Sequence, residues 1–293
     1  MEKLNRKLRP MKFHSKYATG LVNNLQESVY RADPALSTSD LKTFKKSAFK
    51  FAMEKKGVTS RGDTPSMRLG RLYHQYALER DRWDEEVECC PDEYADKRKR
   101  ESKLWWKENA KPGVTVIKET ELQTVTGMHD QLSKLPLYHG GPTVGKVLET
   151  AATEVSVFAK NLRKGIDLKC RIDILHNDNG KRSVLDIKTT REGGASPREY
   201  KYTSKRLNYH WQEANYKKIC EKAGFPIENW YWVVVETEAP YETGIYTYKP
   251  HDLLMANHEL EETYIKLEGC LSTGVWPSHT PSEPMQLSLY DSA

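Results

Sequence analysis

The sequence predicts an α/β fold of the α+β kind, in which helices flank a mixed central sheet. Three observations favour it. Apolar residues recur at helical spacing through much of residues 1–150. From residue 153 onward, segments rich in branched and aromatic residues are interrupted by a helical stretch. Between two of these segments lies the pair Asn179-Gly180, which is typical of a β-hairpin turn.

The first half of the chain is expected to be mostly helical. In "LSTSDLKTFKKSAFKFAMEK" (36–55), Ser37 and Asp40 have capping-box spacing, and apolar residues follow at helical intervals. The segment "SMRLGRLYHQYALER" (66–80) predicts a second helix with one apolar face. A third helical segment is expected around residues 119–135.

The second half is expected to supply the sheet. We expect one helix over 204–223 and a last helix over 250–270. The strand-like segments are "TEVSVF" (153–158), "IDLKCRIDIL" (166–175), "SVLDIKTT" (183–190), "NWYWVVVETEAP" (229–240) and "GIYTYK" (244–249), of which the last two are expected to pair.

We expect these elements to form one domain over residues 1–293, because no repeat and no long linker divides the chain. It would comprise a mostly helical half (1–150), a sheet core (151–275) and a flexible C-terminal tail (276–293). A chain of this length can bury a sizeable core.

The charge pattern mildly favours a polyanionic partner. The formal net charge is +5 and the pI is about 8.7. Basic residues crowd the first sixteen positions and the stretch "KRKRESKLWW", from Lys97 to Trp106. Each cluster is either a solvated charged face or a contact for phosphates, with tryptophans available to stack on bases.

Several classes of protein are disfavoured. No apolar run approaches the roughly 18 residues of a membrane span, and the basic N-terminus has no apolar signal-peptide region. The five cysteines have no CxxC spacing, which argues against a disulfide framework or a zinc site. We therefore expect a reducing, cytoplasmic location and no membrane partner.

A hairpin turn at Asn179-Gly180 would place two acidic residues together. If Asn179 and Gly180 form the turn, the numbers of paired positions sum to 359, which sets Asp173 directly opposite Asp186. Like charges opposite each other destabilise a sheet, unless a counter-charge, a raised pKa or a metal ion compensates. Lys188 lies two residues after Asp186 and therefore on the same face.

Two interpretations of this cluster stay open. Converging carboxylates are what a hard divalent cation such as Mg²⁺ prefers, so the hairpin could hold a metal ion. Alternatively, Lys188 neutralises the two acids in a surface cluster. A turn centred on Asp178 and Asn179 would shift the register and weaken the pairing argument.

The motifs together resemble those of the PD-(D/E)xK nuclease superfamily, and in particular its RecB-type branch and the RecE/exonuclease VIII family of phage nucleases. The resemblance covers roughly residues 35–280 and implies a restriction-endonuclease-like core. The matching motifs are "GRLYHQYALE" with His74, "CRID" with Asp173, "LDIKTT" with Asp186 and Lys188, and "QEANY" with Gln212 and Tyr216.

The resemblance implies a metal centre. His74, Asp173, Asp186 and the carbonyl of Ile187 would bind Mg²⁺, which Mn²⁺ could replace. Lys188 would position and activate the attacking water, and a bound metal would lower the pKa of its ammonium group.

The resemblance also implies supporting roles, in DNA binding or in shaping the site, for several other residues. Gln212 and Tyr216 would contact DNA, although helix packing for Tyr216 and simple solvent exposure for Gln212 are equal alternatives. Ser39 lies where related exonucleases have a 5′-phosphate pocket, but it also suits an ordinary helix start. Glu154 matches a family position, and Gly70 could leave room for metal or DNA.

The implied activity is 5′→3′ exonucleolytic digestion of linear double-stranded DNA ends, which leaves 3′ single strands for recombination. A ring-like homo-oligomer and a single-strand annealing partner would accompany it, in the cytoplasm of a bacterial host cell. The alternatives are another nuclease of the superfamily, such as an endonuclease or an iron–sulfur exonuclease of the CRISPR-associated type, or a catalytically inactive DNA-binding member.

The tail carries one further motif. "QLSLY" contains Gln286, Leu287, Leu289 and Tyr290 and resembles the pentapeptide by which bacterial proteins bind the replicative sliding clamp. Packing of this segment on the protein's own core is the alternative.

Overall fold

The computed structural model describes residues 11–59, 62, 64–178 and 180–279. A short 3₁₀ turn spans Asp92–Tyr94. The α-helices of the described residues are α1 (Glu27–Ala32), α2 (Thr38–Lys46), α3 (Ala48–Lys55), α4 (Pro65–Leu78), α5 (Arg80–Glu86), α6 (Arg100–Asn109), α7 (Glu119–Lys134), α8 (Val144–Leu148), α9 (Pro197–Arg206), α10 (Tyr209–Lys222) and α11 (Pro250–Thr273).

The described strands form two sheets, the larger of which has the order β1-β4-β5-β6-β7-β8. Within it only β6 and β7 run parallel, and every other neighbouring pair is antiparallel. The strands are β1 (Gly20–Val22), β2 (Val87–Cys90), β3 (Thr115–Lys118), β4 (Ala152–Arg163), β5 (Ile166–Asp178), β6 (Lys181–Thr190), β7 (Asn229–Glu236) and β8 (Thr243–Tyr246).

The predicted α+β class with a mixed sheet is therefore confirmed. The predicted pairing of "GIYTYK" with the preceding strand is formed by β7 and β8. The smaller sheet joins β2 and β3 in parallel and was not predicted. Among the described residues, no helix is both long and apolar enough to cross a bilayer.

Two predicted helices are each divided in the structure. Ser37 and Asp40 form the expected capping box, but α2 ends at Lys46 because Ser47 adopts an extended backbone and caps α3. Similarly, Asn208 takes a left-handed conformation (φ 51°) and separates α9 from α10. Apolar periodicity cannot reveal such breaks, because it continues in phase across them.

The hairpin register predicted from the turn is confirmed on both sides of it. Asn179 lies outside the described residues, but the paired positions from Asp178–Lys181 to Ile174–Leu185 all sum to 359. Gly180 has the positive φ of 85° that a tight hairpin requires.

The direct pairing of Asp173 with Asp186 is not formed, which corrects the prediction. The ladder ends one step earlier, at Ile174–Leu185. Along β5 the apolar alternation also changes face at this point, because Cys170 and Ile172 lie in one core cluster and Ile174 lies in another. The Asp173 carboxylate instead accepts a 2.8 Å hydrogen bond from the backbone N–H of Ile187.

The large sheet has an apolar cluster on each face. The larger cluster packs α2, α3, α10 and α11 against one face, and the smaller cluster packs α4, α7 and α8 against the other. On β6, Leu185 and Ile187 point into the smaller cluster while Val184 points into the larger. Asp186 and Lys188 therefore share the face of the larger cluster, as alternation predicts.

Ordered packing extends into the predicted flexible tail, which corrects its start at residue 276. Trp276 is 8% exposed, and its ring stacks on Phe51 with 5.7 Å between centroids. The backbone N–H of Phe49 donates to the carbonyl of Pro277. Residues 280–293 lie outside the described part of the chain.

Candidate active site

The DxK segment of β6 brings together three of the predicted residues. Asp186 is fully buried, and one of its carboxylate oxygens forms an ion pair with the Lys188 ammonium group. The other oxygen accepts a hydrogen bond from the side-chain amide of Gln212, which lies one turn into α10. Both oxygens of Asp186 are thus engaged by neighbouring side chains.

Helix α4 places His74 against the other end of the same segment. Nε2 of His74 lies 3.2 Å from the carbonyl oxygen of Ile187 and donates to it. Nδ1 lies 3.8 Å from Oε1 of Glu154 and 3.9 Å from Oδ2 of Asp173. The Ile187 peptide therefore contacts His74 through its carbonyl and Asp173 through its N–H.

Glu154 occupies a more central position than the sequence indicated. The pairs on either side, Thr153–Ile174 and Val155–Ile172, set Glu154 opposite Asp173 across β4 and β5. Glu154 has a φ of 50°, which is uncommon outside glycine and asparagine and is found where the surrounding structure enforces it.

Arg171 holds the Glu154 carboxylate in this position. Its Nε donates to Oε2 of Glu154. Its other nitrogens lie 2.8 Å from the carbonyl oxygen of Leu25 and 3.4 Å from Oε1 of Glu79. Arg171 was not singled out from the sequence, and only its place two residues before Asp173 on the same strand could have suggested it.

The donor atoms of His74, Glu154 and Asp173 fit a divalent metal ion. One ligand atom from each residue lies within 4.8 Å of the other two. Carboxylate oxygens suit Mg²⁺ or Mn²⁺, whereas the imidazole nitrogen suits Mn²⁺ better than Mg²⁺. Asp186 is outside this group, and its expected role as a ligand stays a prediction.

Burial and neighbouring charge control protonation at the donor group. Burial, reinforced by the charge of Asp186, raises the pKa of Asp173 to about 7. Burial alone would lower the pKa of His74, but the charges of Asp173 and Glu154 outweigh it and raise this pKa to about 9. Near neutral pH, the donor group thus carries a charged imidazole beside a partly protonated carboxyl group.

Lys188 is cationic near neutral pH. Burial favours its neutral form, but the charges of Asp186 and Asp173 outweigh burial and hold the pKa of Lys188 above its usual value. Lys42, on α2, faces the same group of charges. Burial, together with the charge of Lys188, lowers the pKa of Lys42 to about 7.

The comparisons with known proteins identify the family. A family model described as a PDDEXK-like domain of unknown function (DUF3799) matches residues 37–286. The chain belongs to this family. The predicted relationship to PD-(D/E)xK nucleases is therefore confirmed, and the comparison with curated proteins gave no match.

Solved structures support the same fold. A "Putative exonuclease" from Eubacterium rectale is similar over 92% of this chain and 97% of that chain, with a TM-score of 0.58 and 13% identity. SSO0001 matches 67% of this chain and 85% of its own (TM-score 0.29, 18% identity). VC1899 from Vibrio cholerae matches 81% and 57% (TM-score 0.22, 12% identity). The last two likenesses are too weak to support an argument.

A cleft of about 820 Å³ opens beside Lys188 in this PDDEXK-like domain. Its walls come from α4, α7, α9 and the end of β6, and they carry hydroxyl and guanidinium groups. Among the lining residues are Thr64, Thr120, Thr189, Arg68, Arg191 and Arg206. Such donors suit the phosphates of a nucleic-acid strand.

The remaining predicted residues are not gathered at the donor group. Tyr216 is half-buried in the larger apolar cluster, with its ring 5.7 Å from that of Trp230, so the geometry favours the packing alternative. Ser39 is exposed in the first turn of α2. The clamp-like residues Gln286, Leu287, Leu289 and Tyr290 lie outside the described residues.

Proposed function

We propose that this PDDEXK-like domain is a Mg²⁺-dependent 5′→3′ exonuclease that digests linear double-stranded DNA from its ends and leaves 3′ single strands. The observation that carries the nuclease part is the convergence of His74, Glu154 and Asp173 beside the Asp186–Lys188 pair. The exonucleolytic mode and the polarity rest on the motif resemblance to the RecE/exonuclease VIII family.

The metal would be held by His74, Glu154 and Asp173, with Asp186 and the Ile187 carbonyl at the edge of the group. A bound divalent cation would neutralise charge at the scissile phosphate and lower the pKa of water. The Ile187 N–H fixes one oxygen of Asp173, and Arg171 fixes one oxygen of Glu154. These hydrogen bonds orient the carboxylates before the substrate arrives.

Lys188 would act as a positioned donor. Its ammonium group borders the cleft and remains charged near neutral pH in the metal-free site. It can orient the attacking water and stabilise the negative charge that develops on the phosphoryl oxygens. Gln212 helps by holding the oxygen of Asp186 that Lys188 does not occupy.

Digestion of end-labelled DNA tests the proposal. Linear duplex labelled at either its 5′ or its 3′ ends would be incubated with Mg²⁺ and wild-type protein. We expect early release of the 5′ label as short products and retention of the 3′ strand. Early release of the 3′ label would contradict the polarity, and an absence of degradation with both Mg²⁺ and Mn²⁺ would contradict the nuclease assignment.

Closed circular DNA separates the alternatives. An endonuclease would nick it, whereas an end-dependent exonuclease would leave it intact. The iron–sulfur alternative is disfavoured because, in the part of the chain that the structure describes, His74, Glu154 and Asp173 form the one metal-ligating group and no cysteine joins it. An inactive DNA-binding member would bind duplex ends without degrading them.

We also propose that the protein forms a homo-oligomeric ring and acts with a recombination partner. A homo-oligomeric ring predicts a molar mass in light scattering that is a multiple of 33.8 kDa, and a monomer at all concentrations would exclude it. A single-strand annealing protein is the proposed recombination partner.

The sliding clamp is a further proposed partner, bound through the C-terminal motif. Deletion of 285–293 should abolish pull-down by the sliding clamp and spare nuclease activity, and unchanged pull-down would exclude the clamp motif.

A further inference from the structure

An excursion from the domain, residues 87–118, carries a concentrated positive charge. It comprises β2, the 3₁₀ turn, α6 and β3. Residues 97–111 contain seven lysines and arginines and two glutamates, a formal charge of +5, which equals the net charge of the whole chain. All seven basic residues are exposed, and among the described residues only Arg98 of the seven forms an ion pair, with Asp96.

The charges on α6 share one side of the helix. Arg100, Lys103 and Lys107 have i, i+3, i+7 spacing, and Lys99 precedes Lys103 by four residues. We call these four residues the basic face. The three helical members span about 10 Å of the helix axis, over which a DNA duplex presents several phosphates.

The aromatic residues of the excursion have a different role from base stacking, one of the two alternatives that the sequence left open. Trp105 stacks on Tyr94 with ring centroids 5.9 Å apart, and Nε1 of Trp106 donates to the Tyr94 carbonyl. Lys97 lies 3.3 Å from the Trp106 ring centroid. The two indole rings pack α6 against the 3₁₀ turn. The excursion therefore offers positive charge for phosphates and no aromatic surface for stacking on bases. Binding of duplex DNA is favoured over binding of single strands, because single-strand binding depends on such stacking.

The excursion joins the wall of the catalytic cleft. Its return strand β3 ends at Lys118, and Thr120 and Glu121 of the next helix line the cleft. Arg68, another lining residue, pairs with Glu121 and lies 3.5 Å from the carbonyl oxygen of Val116 in β3. The element that carries the basic face is therefore continuous with one wall of the cleft.

We infer that the basic face is a second contact for duplex DNA, which holds the substrate's phosphate backbone outside the cleft and takes no part in hydrolysis. This inference rests on the proposed function, since it assumes that DNA is the substrate. It assigns to the excursion the affinity for long duplex and leaves the chemistry to the donor group.

The test compares two sets of four charge-removing substitutions. The first is Lys99→Gln, Arg100→Gln, Lys103→Gln and Lys107→Gln. The matched control is Lys164→Gln, Lys181→Gln, Lys222→Gln and Lys266→Gln, all at exposed positions outside the excursion. Fluorescence anisotropy in EDTA would measure the Kd of a blunt duplex at a series of salt concentrations, so that no hydrolysis occurs.

We expect the first variant to bind duplex more weakly and to reduce the slope of log K against log salt by about 0.9 for each phosphate that is no longer neutralised. The control should keep the wild-type slope. With Mg²⁺, kcat on a short duplex should be unchanged while KM on a long duplex rises. Lys103→Gln alone, which hardly perturbs folding, should reduce the slope by about 1.

Three results would count against the basic face as a second DNA contact. A wild-type slope in the first variant, an equal decrease in both variants, or a decrease confined to single-stranded DNA would overturn it, even if the protein proves to be a nuclease. By contrast, wild-type protein that binds duplex through the basic face but never cleaves it would retain the second contact and overturn the proposed function.

Discussion

The ammonium group of Lys188 lies 5.1 Å from the ring centroid of Tyr209, the first residue of α10. The Tyr209 ring stacks on Trp232 at 5.3 Å, and Lys188 is also 5.3 Å from the Trp232 ring centroid. The lysine is thus confined between the carboxylate of Asp186 and an aromatic wall. Cation–π attraction on one side and an ion pair on the other leave its side chain little freedom.

This confinement predicts a loss of turnover without a loss of binding in Lys188→Gln. We expect kcat to fall by about 10²- to 10³-fold, the range for removal of a donor that stabilises developing charge, while duplex affinity in EDTA stays close to that of wild type. Single-turnover hydrolysis checks the prediction. Lys201→Gln, at an exposed position of α9, is the control, and an equal kcat in both variants would refute the role of Lys188.

Removal of the Glu154 carboxylate should weaken metal binding. We expect Glu154→Gln to raise the Kd for Mn²⁺, measured by calorimetry, by at least about 10-fold, because metal sites lose this much even when a supporting residue is changed. The control is Glu149→Gln, whose carboxylate pairs with Lys146 at the surface. A wild-type Kd in Glu154→Gln, together with abolished Mn²⁺ binding in Asp186→Asn, would assign the ligand to Asp186 instead.

Without a bound metal, Asp173 and His74 should each contribute stability that is lost as pH rises. Asp173 and His74 both have raised pKa values, so the folded state binds more protons than the unfolded state between their ordinary and raised values. The contribution of Asp173 is lost between about pH 4 and 7, and that of His74 between about pH 6.5 and 9.

Urea unfolding in EDTA at several pH values measures this effect. Asp173→Asn should flatten the decline, because it removes one titrating group and lowers the pKa of the other. Asp84→Asn, an exposed change on α5, should keep the wild-type profile. An identical pH profile in wild type and Asp173→Asn would contradict the assignment.

Gly70 and Thr189 should be energetically coupled. A Cβ atom on Gly70 would lie 3.1 Å from Oγ1 of Thr189, which is closer than ordinary contact. In a Thr189→Ala background, Gly70→Ala should therefore stabilise by up to about 1 kcal/mol through helix propensity, and in wild type by less. Thermal denaturation of the four proteins measures the difference, and strict additivity would show that the contact is without consequence.

Trp276 should be a major contributor to stability. Its ring stacks on Phe51 and meets the edge of Phe44. Trp276→Ala should lower the free energy of unfolding by about 3–5 kcal/mol, the usual cost of deleting a buried large aromatic side chain. Val275→Ala, at a half-buried neighbour, is the control, and equal losses in the two variants would show that the tryptophan adds little.

Local patterns predicted the hairpin register, the face shared by Asp186 and Lys188, and most of the elements. The turn residues fix the pairing, and alternation fixes the face. The candidate metal-ligand group of His74, Glu154 and Asp173 was less accessible to prediction. His74 could be placed beside the hairpin only through motif resemblance, because no local rule sets where α4 packs on the sheet.

The central position of Glu154 could not be predicted from the sequence, for a related reason. Its position depends on a positive φ and on a change of face at Asp173, and both depart from regular strand geometry. Sequence periodicity assumes that geometry, so it fails where a site bends the strand. The second threonine of the DxK strand has a plainer role, since the Thr190 carbonyl accepts hydrogen bonds from Thr237.

The site contacts the backbone of Ile187 and not its side chain, so it tolerates substitutions at this position that it would not tolerate at His74 or Asp173. The N–H and carbonyl of Ile187 serve Asp173 and His74, while its side chain is buried in the apolar core. Exchange of isoleucine for valine or leucine would preserve both contacts, whereas proline would delete the donor. A backbone ester at this bond, introduced by semisynthesis, would probe the centre without altering any side chain.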